Sequence, residues 1–344
     1  MAQTPAFIQT IVTSTRIRLA RNLAAYPFPD KLDEKSASEV VYLVEKSLKK
    51  LDSFEKYDMG KLSKAEAMLL QEQHLISPAL IRRKRGASAF ISTDKAISVM
   101  VNEEDHLREQ YICRGFDLYR AYEIIAGLDE GLSASLDFAY KDKLGFLTAC
   151  PSNLGTGMRA SVMMFLPGLE RNGELKALLP TFKAGGLAVR GAFGEGSNAE
   201  GYLYQLSNEQ TLGVSEMELI ERVSEVTMTI CDQEVRAREE MLEKSETELR
   251  DRCLRAYGTL TNCALLDMEE FRSKIIDVRL GIFLKFFEVS SLDAFDTFLD
   301  DMQPATFCIN NNLEGENERF YDEVRAEAVG STLRHLMQVA RNRN

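Results

Sequence analysis

Residues 150–161 read Cys-Pro-Ser-Asn-Leu-Gly-Thr-Gly-Met-Arg-Ala-Ser, a polar loop that links a thiol to an arginine across two glycines. Such a loop has little to give a hydrophobic core. Gly155 and Gly157 permit positive φ and close backbone approach, so successive N–H groups could converge on an anion. Arg159 adds a planar, always-charged fork that suits phosphate. An ordinary Gly-rich turn between strand and helix is the alternative for this segment alone. Three further stretches share its character: Ser14-Thr15-Arg16-Ile17-Arg18, Asn102-Glu103-Glu104-Asp105-His106-Leu107-Arg108 and Arg190-Gly191-Ala192-Phe193-Gly194-Glu195-Gly196-Ser197.

In their order along the chain the four segments resemble the signature segments of the phosphagen (guanidino) kinases, and the resemblance spans roughly residues 10–240. That family moves the γ-phosphoryl of ATP onto a guanidinium nitrogen. The resemblance implies a mainly antiparallel sheet flanked by helices. It also implies that Arg16, Arg18, Arg108, Arg159 and Arg190 contact the nucleotide phosphates, with Mg²⁺ bridging phosphate oxygens and no metal held by the protein itself. Any one of these arginines could be a solvating surface residue. Five fixed charges would preorganise a site for the charge-spread transition state of phosphoryl transfer. No Walker A sequence occurs, nor the H-R-D and D-F-G marks of protein kinases, so arginines and loop N–H groups must hold the nucleotide. The implied ATP set is Ser14, Thr15, Arg16, Ile17, Arg18, His74, Arg108, Arg159, Arg190, Gly191, Ala192, Phe193, Gly194 and Glu195. His74 enters through its resemblance to the protein-arginine kinases; alone it could equally cap a helix.

A guanidinium stays protonated below a pKa of about 12 and is a poor nucleophile until a proton leaves. Two carboxylates against its nitrogens would orient it by bidentate hydrogen bonds and accept that proton. Glu104 and Glu195 match the family's two guanidinium-binding glutamates. Glu104 is assigned as base and Glu195 as clamp, roles that the sequence does not separate. Asp105 would support Glu104 or the metal, and Glu103 reads as an exposed turn residue. Cys150 matches the reactive cysteine of the family, where a thiolate would add a negative contact to the guanidinium. The other five cysteines read as small core residues.

These segments need a scaffold. Residues 35–52 and 61–76 read as amphipathic helices, Val40, Val41, Leu43, Val44 and Leu48 giving the spacing of a buried stripe. Phe90–Ser92 and Ala96–Val101 read as a hairpin delivering the Asn102–Arg108 motif. Residues 106–128 read as helix, and Leu144–Cys150 and Leu187–Phe193 as strands ending in motifs. Ser215 with Glu218 forms a capping box, and Ser245 with Glu248 a second that restarts a helix ending at Gly258. The resulting class is α+β: a catalytic domain over residues 1–240 and a helical C-terminal domain over 241–344 suited to dimerisation.

The composition excludes several classes. The net charge of −11 argues against nucleic acid as partner. No apolar run or leader pattern marks a membrane or secreted protein, and six cysteines without C-x-x-C pairs fit reduced thiols, so the expectation is cytoplasmic. The first motif begins at Ser14, without the helical domain that precedes it in small-molecule phosphagen kinases. That architecture resembles the bacterial protein-arginine kinases (the McsB family), which phosphorylate arginine side chains in proteins. Their phosphoarginine pocket motif, Arg-Asp-x-x-Arg-Ala, is met here by Asp322, Arg325 and Ala326, with Tyr321 replacing the first arginine. An allosteric pocket lacking one fork and an ordinary amphipathic helix are equal readings of that stretch. The resemblance implies a role in stress response and protein quality control. It also implies a zinc-finger activator, a stress-gene repressor, a Clp-type ATPase and a homodimer. Two alternatives stand beside it: a kinase of free arginine or another small guanidine, and a non-catalytic phosphoarginine-binding regulator.

Overall fold

The computed structural model describes residues 6–191 and 200–340. The chain falls into two compact units: Met1–Met164 with Leu179–Arg190 and Gln205–Thr229, and Phe165–Leu178 with Gly191–Tyr204 and Ile230–Asn344. The first is built on strands β1 (Val12–Arg21), β2 (Phe54–Asp58), β3 (Ser88–Ser92), β4 (Ile97–Val101) and β5 (Leu107–Arg114). After a short pair, β6 (Tyr140–Lys141) and β7 (Gly145–Phe146), come β8 (Met158–Phe165), β9 (Leu187–Gly191) and β10 (Leu203–Asn208). Eight of them form one sheet in the order β2-β3-β4-β5-β1-β8-β10-β9. Every pair from β2 through β8 in that order is antiparallel.

Side chains alternate across a strand, and β1 uses both faces. Ile17 and Leu19 point into a core with Leu107, Met158, Ala160 and Val162, all at most 2% exposed. The Leu118–Ser133 helix covers this face against β1 and β5, burying Leu118, Ala121, Ile125, Leu128 and Leu132 at three- and four-residue spacing. It starts where the Asp117 carboxylate accepts the Arg120 N–H. The Glu34–Leu48 helix, capped by Asp33, packs beside it. On the opposite face, β3 and β4 are covered by a smaller cluster including Leu70, Leu75, Leu80, Ile91 and Met100. Met100 is paired with Arg108; beyond it that face turns polar.

In the second unit, parts of the helices Glu216–Asn262, Met268–Phe283, Leu292–Asp301 and Glu318–Leu336 enclose a core containing Cys253, Leu260, Val278, Leu280, Val329 and Leu333, each fully buried. Strands β11 (Phe287–Val289) and β12 (Met337–Val339) pair at its edge. An antiparallel sheet flanked by helices, followed by a helical C-terminal region, is the expected class. No helix among the described residues is long and apolar enough to cross a membrane.

Three local expectations are corrected. Residues 107–114 are a strand, and the helix begins only at Leu118. Glu109, buried on the core face, breaks the apolar alternation that would have marked a strand. Of Leu144–Cys150 only Gly145–Phe146 is extended into a ladder. The long helix bends at Ser245 (φ −156°), whose hydroxyl donates back to the Met241 carbonyl. It then passes through Gly258 to Asn262, because the intact helical ladder outweighs the small propensity cost of one glycine.

Candidate active site

The antiparallel register assembles the arginines. Arg18 lies opposite Gln110 on one side and Arg159 on the other, Arg16 lies two residues along the same face, and Arg108 is opposite Ala20. Like charges directly across a ladder repel, and the effect on these groups is large. Burial, then the charges of Arg108 and Arg159, push the Arg16 pKa down to about 10. Arg18 is pushed well below its ordinary value by burial, then by Arg16, Arg108 and Arg159. Arg159 is lowered by burial and by Arg190. Arg18 Nε is buried without a hydrogen-bond partner. Positive charges held this close, with an orphaned donor among them, fit a polyanion that would satisfy both.

Among the described residues, three contacts offset part of that charge. The Glu103 carboxylate accepts from Arg108 Nη1 at 2.8 and 3.0 Å and from the Ser77 hydroxyl. Arg16 Nη2 donates to Gln205 at 3.2 Å, and Arg190 lies 3.9 Å from Glu209. His74 sits at the rim in the left-handed backbone region (φ 59°), where its carbonyl accepts from Gln110 Nε2 at 2.7 Å. Its ring keeps a solvent-facing edge, yet surrounding protein and then the Arg16 charge push its pKa below the ordinary value.

Glu103 is therefore not the exposed turn residue expected: it is 3% exposed and fixes Arg108. Its neighbour Glu104 is exposed, free of the packing that commits Glu103. Asp105 is buried again, and Oδ1 accepts from Asn22 Nδ2 and from the Ala149 N–H, both at 2.6 Å. This single carboxylate ties the Glu104 turn to the backbone beside Cys150. Cys150 Sγ is 3.1 Å from Ser152 Oγ.

The glycines of the Cys150 loop serve packing. The Gly155 N–H goes to Phe146 O and the Thr156 N–H to Thr211 O, while the Met158 N–H goes to Thr156 Oγ1. The expected anion nest is thus corrected: these donors are spent inside the protein. A Cβ on Gly155 would lie 2.2 Å from Thr211 O, and one on Gly157 2.6 Å from Ala20 O. Both residues have positive φ, so close strand contact requires glycine.

Not every expected residue joins this cluster. Thr15 and Ile17 face the core, with the Thr15 hydroxyl bonded to Gly115 O and to the Asp117 N–H. Ser14 lies on the arginine-bearing strand, between Arg114 and Met163 in register. Gly191 ends β9; Ala192, Phe193, Gly194 and Glu195 lie outside the described residues. In the second unit Arg325 donates to Asp322 (2.8 Å) and to Leu266 O (2.6 Å), with its guanidinium 5.5 Å from the Phe307 ring. Tyr321 O–H meets Cys308 Sγ at 3.0 Å, and Ala326 is in the core.

A family model described as ATP:guanido phosphotransferase, C-terminal catalytic domain, matches residues 36–237, and the protein-arginine kinase McsB C-terminal domain matches 246–344. The protein-arginine kinase of Caldanaerobacter subterraneus subsp. tengcongensis is 41% identical over 86% of this chain and 89% of its own. That of Clostridium acetobutylicum is also 41% identical, over 86% and 88%. The chain belongs to the protein-arginine kinase family. Among solved structures, the duplicated taurocyamine kinase of Schistosoma mansoni with transition-state analogue components matches with a TM-score of 0.60 at 30% identity. The match covers 65% of this chain and 33% of that one. Lombricine kinase matches with a TM-score of 0.59 at 25% identity, covering 66% of each.

Within this member of the protein-arginine kinase family, sequence reading missed Glu103, Gln110, Ser77 and Gln205. Polar alternation was the available signal: Arg16/Arg18 and Arg108/Gln110 repeat at the strand period of two, but reading 106–128 as a helix concealed the second pair.

Proposed function

We infer that this protein transfers the γ-phosphoryl group of ATP to the guanidinium of arginine side chains in proteins. One observation carries the reading. Arg16, Arg18, Arg108 and Arg159 share one sheet face, and an exposed Glu104 stands beside it in a turn that Asp105 pins to the Cys150 backbone. An arginine cluster lowered by mutual repulsion suits a triphosphate, and a carboxylate open to solvent suits an incoming guanidinium. Membership of the protein-arginine kinase family favours a protein acceptor over free arginine.

In this reading Arg16, Arg18, Arg108, Arg159 and Arg190 neutralise the phosphates, and His74 borders the nucleotide. Mg²⁺ arrives with the nucleotide, as is usual for this ion, rather than in a protein cage. Glu104 takes the guanidinium proton as the nitrogen attacks phosphorus, while Glu195 clamps the same group and Cys150 orients it. Glu103 fixes Arg108 and touches no substrate. Residues 1–240 form the catalytic domain, and residues 241–344 a helical domain that dimerises. Cytoplasmic residence belongs to the same reading, as do a stress and quality-control role, a zinc-finger activator, a repressor substrate and a Clp-type ATPase. The Asp322–Arg325 pair would supply a phosphoarginine pocket, against which Tyr321 turns toward Cys308.

Peptide mass spectrometry after incubation with Mg-ATP and a partly unfolded, arginine-rich protein tests this, with free arginine assayed in parallel. Acid-labile phosphate on protein arginine is the expected result. Transfer to free arginine alone would overturn the reading.

A further inference from the structure

A cavity of about 500 Å³ opens where the Leu118–Ser133 helix ends, lined by Asp129, Ser133, Ser135, Asp137, Phe138 and Phe146 among others. Nothing in the catalytic scheme above uses it. Its chemistry favours a cation in three independent ways. The last helical turn presents the negative end of the peptide dipoles and holds no basic residue, while Asp129 in the lining is already paired with Arg21. Asp137 adds an exposed carboxylate at the mouth. Two wall residues are aromatic, Phe138 and Phe146, which meet edge to face at 6.4 Å between centroids; outside the lining, the 55% exposed Tyr140 meets Phe146 at 5.3 Å.

The protein itself supplies a template for what such a site holds. The Arg21 guanidinium lies 3.6 Å from the Phe146 ring centroid and pairs with Asp129 at 2.8 Å. Lys50 reaches Ser135 Oγ at 3.4 Å from the rim. Both are this chain's own cations drawn to the same surroundings. Arg21 is 2% exposed and sits behind Phe146 and Asp129, whereas Asp137 faces solvent.

The cavity is also tied to the reaction centre. Phe146 exchanges backbone hydrogen bonds with Gly155, and Leu147 O accepts from Asn22 Nδ2, the group that also holds Asp105. Phe146 precedes Cys150 by four residues, so their Cα atoms are at most about 14 Å apart. An extended substrate chain crosses that span in roughly four residues. We propose that this cavity binds a second basic side chain, arginine or lysine, of the protein substrate, lying two to five residues from the arginine that is phosphorylated. The proposal rests on the protein-arginine kinase reading and adds to it a sequence preference.

The test uses the full-length protein and peptides with one target arginine, with a lysine scanned from five residues before it to five residues after. Lysine keeps the charge without offering a second guanidinium. Wild type should show a KM about tenfold lower when lysine falls two to five residues away, the scale of one partly desolvated cation–carboxylate and cation–π contact. Asp137→Lys should erase that advantage while leaving the kinetics of the lysine-free peptide unchanged; Asp137→Asn should weaken it. An equal KM across the wild-type scan, or an advantage that survives Asp137→Lys, overturns the proposal. If wild type phosphorylates no peptide, the kinase reading fails and the cavity is judged separately by fluorescence anisotropy with an arginine-free lysine peptide. Binding that Asp137→Lys abolishes supports the site, and equal binding by both proteins rejects it.

Discussion

Adjacent glutamates with opposite exposure give a sharp mutational contrast. Glu103 is 3% exposed and supplies both carboxylate oxygens to Arg108, while Glu104 is exposed. Glu103→Gln keeps the shape but removes the charge that offsets the arginine cluster. Breaking a buried pair by removing one partner costs about 3–5 kcal/mol. Arg108 is 23% exposed and can be partly rehydrated, so a loss of about 2–3 kcal/mol is expected, below that range. For a folding unit of roughly 200 residues, each kcal/mol moves the midpoint by about 2–4 °C, giving a drop of about 4–12 °C in the first unit's transition. The arginines left uncompensated should then depend more on a bound anion. Nucleotide at 100 times its Kd stabilises by about 2.7 kcal/mol, so saturating Mg-ATP should recover most of the loss. Differential scanning fluorimetry with and without nucleotide reads both effects. An unchanged apo midpoint, or a loss that saturating nucleotide leaves in place, would refute the role given to Glu103.

Further outcomes follow from the same geometry. Gly157→Ala should destabilise by roughly 2–5 kcal/mol, since φ is +64° and the new Cβ meets Ala20 O at 2.6 Å; urea denaturation reads this, and a change under 0.5 kcal/mol would be inconsistent with the packing described. Burial and then the Asp129 charge hold the Glu109 carboxyl well above its ordinary pKa. The native state therefore binds more protons than the unfolded one above pH ~4.3, the unfolded carboxylate value. Its contribution is fully present below that pH and is lost as pH rises through the folded pKa. Glu109→Gln should thus flatten the decline of stability with rising pH, and parallel denaturation curves for both proteins from pH 5 to 9 would contradict this.

Legibility from sequence followed physical locality. The helices Glu34–Leu48 and Leu118–Ser133 bury one stripe each, so their periodicity is visible, although the start of the second was displaced onto β5. The β3–β4 hairpin is similarly local. β5 was concealed because its two faces are both polar in part: Arg108 and Gln110 lie on the arginine-bearing face, while Glu109 is buried close enough to Asp129 and Arg21 to feel their charges, which no local pattern announces. The arginines were identifiable by type and motif, but their shared face is a product of long-range register, Arg18 against Arg159 across 141 positions of sequence. Glu103 and Glu104 are chemically identical in sequence; only the fold buries one and exposes the other. The Cys150-loop glycines looked like an anion cradle because close backbone approach to phosphate and to another strand demand the same residue.

In the proposed reaction Glu104 activates the guanidinium and does little else. The most direct test is single-turnover phosphoryl transfer from Mg-ATP to a protein arginine, comparing wild type with Glu104→Gln. The expected rate is lower by about 10²–10⁴, the range for a lost general base, with the thermal midpoint and nucleotide affinity unchanged. A variant that retains transfer within a fewfold of wild type, or loses it only by unfolding, would contradict the assignment.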